Sequence, residues 1–177
     1  MRIKSYRPFD RDKAIEAIKF VALNAPNPDI YWIGKIMYFA DLRHLEKYGR
    51  LICGDDYVAM PYGTAPSGTL DLLKEARRFV DTPEFHPAIG EFEIQDKNKV
   101  VPLCKPDLDF FSESDIECLT ASIKENGLLT FNQLHNKSLD KAYKSADPNG
   151  FIDIEQIISM LPNAESLLEY TRATSPV

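Results

Sequence analysis

The stretch from Lys35 to Leu73 constrains this chain more than any other, because it holds a helix, a hard stop and a second helix in fixed order. Ile36, Met37, Ala40 and His44 fall on one face of a 3.6-residue repeat, and Ile33 extends that face upstream. Gly49 follows Tyr48 at the place where a helix ends in a left-handed residue. Gly54, Pro61, Gly63, Pro66 and Gly68 then mark bends in a long loop. A second helix is expected to begin at Pro66 or Ser67, with Leu70, Leu73 and Val80 along one side. A loop of this length inside a domain carries either function or further structure.

The same stretch resembles a known family. YFADLRHLEKYGR, GDDYVAMPYG and PSGTLDLLKE are similar to the signature of the Panacea domain, the SocA-like antitoxin family of bacteria and phages. The resemblance rests on Lys35, Tyr38, Phe39, Ala40, Asp41, His44, Tyr48, Gly49, Arg50, Gly54, Asp55, Tyr57, Ala59, Gly63, Pro66 and Ser67. It departs at Thr64-Ala65, where Pro-Val is usual, and near Ser138-Leu139, where Ser-His is frequent. A weaker likeness runs on through Asp109–Glu113. The resemblance implies an antitoxin that binds and neutralises a cognate protein toxin, or that delivers it to a protease. It implies no catalytic site and no cofactor. Tyr38, Asp41, His44, Tyr48, Gly49 and Asp55 would then be the scaffold of the signature.

Composition narrows the alternatives. The 177 residues suit one domain, read as an N-terminal helical lobe over 1–85, a β-hairpin within 86–107 and a C-terminal helical lobe over 108–177. The net charge of −6 argues against non-specific binding to nucleic acid or anionic membrane. Cys53, Cys104 and Cys118 are odd in number and widely spaced, which suits a reducing cytoplasm and neither a disulfide framework nor a zinc site. The basic N-terminus lacks an apolar run behind it, and no apolar stretch reaches the roughly 18 residues of a membrane span.

Along the chain, Asp10 or Asp12 is expected to cap a first helix ending at Asn24, and Asp29 to cap the central one. Gly34 in that helix suggests a close crossing with another helix. Thr82-Pro83 and His86-Pro87 break the chain before a hairpin built from Glu91–Gln95 and Val100–Leu103. Ser112-x-x-Asp115 and Thr130-x-x-Gln133 read as capping boxes. Ser138 and Asp153 are expected to cap further helices, Asn163 a last one, and the final residues to fray. The fold expected is mainly α, about seven helices with one small hairpin.

Several patterns carry chemistry. Asp41-x-x-His44, with Asp55 beyond the turn, reads either as part of a metal site or as a polar clasp pinning the loop to the helix; a buried His44 would bond Asp41, Asp55 or a loop carbonyl. Ser145 to Gln156 mimics a calcium loop but ends in Gln where a bidentate Glu belongs, so a Pro-Asn-Gly turn is the better reading. Leu129 to Ile152 has the rhythm of a helix-turn-helix with Lys137, Lys141 and Lys144 outward, and a DNA-binding regulator is the alternative function. Gly63–Gly68 lacks the Gly-Lys-Ser/Thr of a phosphate loop, and no serine sits in a nucleophile elbow. Tyr57, Met60, Tyr62, Gly63 and Pro66 are the candidate partner-binding residues, since Tyr and Met on a loop held by helices suit recognition. The competing reading of these side chains is loop core.

Overall fold

A 19-residue helix with two buried faces sets the architecture. The computed structural model describes residues 8–78, 88 and 90–174. Helix α1 spans Arg11–Asn24 and α2 spans Ile30–Tyr48. Asp10 and Asp29 are their N-caps, accepting from the amides of Lys13 and Tyr31. Gly49, at φ 71°, closes α2 with its amide on the Leu45 carbonyl. Ile33, Ile36, Met37 and Ala40 face one apolar core together with α1. Tyr38, Phe39 and Leu45 face a second core. A helix apolar on both sides has to sit between two layers.

The first core is completed by α3 (Ser67–Arg78), by the hairpin of β3 (Phe92–Gln95) and β4 (Lys99–Pro102), and by α4 (Glu113–Asn126). Phe92, Ile94 and Val100 point into it while their neighbours point out, as the alternation required. A one-turn 3-10 helix over Leu108–Phe110 leads into α4. The Ser112–Asp115 capping box is present, with both reciprocal bonds. The second core is built from the strands β1 (Tyr57–Met60) and β5 (Phe151–Ile152) and from α5 (Phe131–Ser138), α6 (Lys141–Ser145) and α7 (Ile154–Ile158). Helix α8 (Ala164–Thr174) follows. Eight α-helices are thus present among the described residues, and the fold is mainly α.

Three expectations need correction. The loop after Gly49 contains an antiparallel hairpin, because β1 pairs with β2 (Gly63–Pro66), and β5 adds a third strand on the other edge of β1. Tyr57–Met60 is apolar throughout, Gly63–Pro66 is bounded by Gly and Pro, and β5 has only two residues, so none of the three shows the alternation that marks a strand. Gly34 does not admit a crossing helix; a Cβ there would meet the Pro66 ring at 3.6 Å, an ordinary contact. Ser138 ends α5, and Asp140 caps α6 by accepting from the Tyr143 amide. The readings at Val80, Thr82-Pro83, His86-Pro87 and the last three residues lie outside the described residues.

Candidate functional site

Asp41 is the centre of the signature. It is buried on α2, and its two oxygens take the Ile52 amide at 2.7 Å and the Tyr57 hydroxyl. Burial pushes its carboxyl up to about 6, and the bonds from Ile52 and Tyr57 hold it from rising further. Asp55 serves a different helix. Its carboxylate accepts from the amides of Gly68 and Thr69 and from the Thr69 hydroxyl at 2.7–2.8 Å, so it caps α3 from twelve residues upstream of that helix. Asp41 therefore holds the Ile52–Tyr57 segment to α2 at both its ends, and Asp55, inside that segment, ties it to α3.

His44 makes the clasp at the other side of the turn. A carbonyl can only accept, so Nδ1–H donates to the Arg50 carbonyl at 2.9 Å, and Nε2 lies 2.9 Å from Ser114 Oγ. The fully buried Asp115 carboxylate gathers the remaining charges. Its Oδ2 takes Lys13 Nζ at 2.7 Å and the Ser112 amide at 2.9 Å, while Oδ1 lies 2.9 Å from Arg50 and 3.3 Å from His44 Nε2. Burial works against that charge, but the bonds from His44, Lys13 and Ser112 outweigh it and hold the carboxyl well below the ordinary range. A loop carbonyl was an expected partner of His44; Asp115 was visible in the sequence only as half of a capping box. Asp41, His44 and Asp55 are each committed to separate partners. Among the described residues no three His, Cys, Asp or Glu side chains are grouped to hold a metal ion.

Tyr38 and Lys35 form a third polar link. Tyr38 donates to Asp140 at 2.6 Å, and Lys35 donates to the Thr64 carbonyl at 2.6 Å. Thr64 Oγ1 in turn donates to the Ser138 carbonyl. Gly63 lies against this link at φ 98°, and a Cβ there would stand 2.0 Å from Ser138 Oγ. Only glycine fits. Tyr48 is half-exposed at the end of α2 and donates to Glu117 on α4.

The candidate partner-binding residues divide. Tyr57 is 2% exposed, its ring tilted against Tyr38 at 4.9 Å between centres and its hydroxyl bonded to Asp41, so it belongs to the core and offers no contact face. Tyr62 is 62% exposed at the tip of the β1–β2 hairpin, and Met60 is half-buried beside it. The tip is held rigidly: Tyr31 donates to the Tyr62 carbonyl, Tyr143 donates to the Met60 carbonyl, and Ala59 pairs with Asn149 and Gly150. Met60, Tyr62, Gly63 and Pro66 all border one cavity of about 490 Å³ between α2, β2 and α3. Phe131 lies across it, 4.5 Å from Tyr31 and 5.8 Å from Tyr62 between ring centres.

The helix-turn-helix reading meets two facts. Helix α6 has five residues, with Ala142 buried and Tyr143 bonded to the hairpin. Lys137 is turned back, bonding Asn126 with its ammonium 4.2 Å from the Phe39 ring centre. The calcium-like segment is a turn at Asp147–Gly150 that leads into β5, with Asn149 at φ 60°.

The chain matches the antitoxin SocA-like, Panacea domain family over residues 33–143, more than half its length. It belongs to that family. The match begins inside α2 and ends inside α6, so it takes in the Asp41, His44 and Asp55 anchors and the hairpin that borders the cavity. No curated protein and no solved structure matches the chain. The family description marks its members as antitoxins, for which a toxin is the general partner. No helix among the described residues is long and apolar enough to cross a membrane.

Proposed function

We propose that this chain is a single-domain cytoplasmic antitoxin that neutralises one cognate protein toxin by direct binding, without catalysis of its own. The family match carries this reading. The free thiols of Cys53, Cys104 and Cys118 accord with a reducing compartment. The contact surface is the exposed tip of the β1–β2 hairpin, where Met60, Tyr62, Gly63 and Pro66 meet the cavity. A rigid tip bearing an exposed Tyr beside Phe131 is the kind of pre-ordered aromatic patch that binds a partner at small entropic cost. Neutralisation follows from covering the toxin or from passing it to a protease; both begin with the same contact.

The test is co-expression with the product of the neighbouring reading frame. The neighbour is expected to arrest growth alone, to be harmless with this chain, and to co-purify with it. Tyr62→Ala should lower affinity at least about tenfold, as for an aromatic anchor, with the helical spectrum unchanged. A neighbour that is harmless alone and does not co-purify overturns the function. Full affinity in a folded Tyr62→Ala overturns the placement of the surface.

A further inference from the structure

The cavity beside the hairpin has a charge opposite to that of the chain. The protein carries a net −6, yet Lys35, Lys74 and Arg77 all line this one space. The acidic residue among its walls, Asp29, already accepts from the Tyr31 amide as the cap of α2. The remaining walls are largely apolar, with Trp32, Leu70, Leu73 and Phe131 among them. At about 490 Å³ the volume lies within the roughly 300–1,000 Å³ of pockets that enclose a ligand.

Lys35 gives the cavity its chemistry. It is 3% exposed, and an ammonium has three N–H donors. Among the described residues its hydrogen-bond acceptor is the Thr64 carbonyl, and the Tyr31 ring lies 5.0 Å away. Burial pushes its pKa down to about 7, and the charge of Asp140 offsets only part of that. A buried amine with donors to spare takes up a proton more readily beside an arriving carboxylate and then holds it, since opposite charges attract more strongly out of water. Lys74 and Arg77, one turn apart on α3, supply the outer cations.

We propose that this cavity receives an acidic, apolar segment of the toxin, with a carboxylate directed at Lys35 and an apolar side chain packed among the aromatic walls. The proposal rests on the antitoxin reading and specifies which surface of the toxin is captured. A protein segment is favoured over a small molecule because the cavity opens beside the exposed Tyr62–Phe131 pair, so that one partner can cover both.

The test measures toxin affinity by titration calorimetry for three variants of the full chain. Lys74→Glu/Arg77→Glu reverses the outer charge, Ala65→Trp fills the cavity from β2, and Lys141→Glu/Lys144→Glu makes the same charge change on α6. The first two are expected to weaken binding about tenfold or more, the first with a shallower salt dependence than wild type, and the third to bind like wild type. A toxin with one surface Asp or Glu changed to Lys should regain affinity for the charge-reversed chain. Wild-type affinity in both cavity variants overturns this proposal while leaving the antitoxin reading standing; failure of wild type to bind the toxin overturns that reading itself. Should Ala65→Trp not fold, the charge reversal on α3 decides alone. Mass spectrometry of the small molecules released when the purified chain is denatured provides the other check. A small anion carried by wild type and lost from Ala65→Trp, with toxin affinity unchanged, makes the cavity a small-molecule site and overturns the segment.

Discussion

Asp41→Ala is the perturbation that most directly tests how the signature holds the fold. It removes the acceptor of the Ile52 amide and of the Tyr57 hydroxyl, both in the buried interior. Each buried donor left unmade costs about 1–3 kcal/mol, so the substitution should destabilise by about 2–6 kcal/mol. Against a total of about 5–15 kcal/mol for an ordinary domain, this brings the protein near unfolding at physiological temperature. Tyr57→Phe removes one donor and leaves one carboxylate oxygen short, for about 1–3 kcal/mol. The two losses overlap, so the double variant should be less destabilised than their sum by about 0.5–3 kcal/mol. Asp41→Asn keeps an acceptor for Ile52 and offers a donor to the Tyr57 oxygen, and should cost least. Urea denaturation followed by circular dichroism reads all four. The acidic range adds a sign. Asp41 titrates near 6 when folded, above its ordinary 3.8, so the folded state holds the proton more tightly. This carboxyl alone therefore makes the wild type gain stability as pH falls from about 6 to about 4, by at most about 1.4 kcal/mol per unit, and Asp41→Asn lacks that gain. Asp115 is depressed and acts in the opposite direction, its contribution being lost only below about 4. Strict additivity of Asp41→Ala and Tyr57→Phe, or identical pH profiles for wild type and Asp41→Asn, would refute the reasoning.

Two further substitutions probe the same segment. Asp55→Ala strips three bonds from the start of α3, two of them from buried Thr69 donors, and should cost about 2–6 kcal/mol, with amide exchange rising first at Gly68 and Thr69; protection unchanged at those two amides would show that α3 caps itself. Gly63→Ala has to accommodate both φ 98° and a Cβ 2.0 Å from Ser138 Oγ, and should lower the melting temperature by a cost of about 1–3 kcal/mol, partly relieved by Ser138→Ala; a stability equal to wild type would mean that the hairpin has shifted.

The local signals were legible where a side chain acts on its own backbone. Asp10, Asp29, Asp153 and the two capping boxes are contacts within three residues, so the helix starts could be read directly. Gly49 ends α2 for the same reason, and the β3–β4 hairpin shows its alternation in four consecutive residues. The candidate surface was legible in part. Met60, Tyr62, Gly63 and Pro66 do gather at one cavity, but nothing in the spacing of Tyr57 says that its hydroxyl turns inward to a carboxylate sixteen residues earlier.

What the sequence by itself determined is most of the helices, the caps at Asp10, Asp29, Ser112, Thr130 and Asp153, and the signature that marks the family. Tertiary structure alone decided three other things. It joined β1 to β5 across ninety residues, since strands this short are specified by their partners rather than by propensity. It made Asp115 the meeting point of Lys13, His44 and Arg50, whose side chains are far apart in the chain and near only once α1, α2 and α4 have packed. It also placed Lys35, Lys74 and Arg77 around one cavity, because burial and field are properties of the packed surface and not of any stretch of residues.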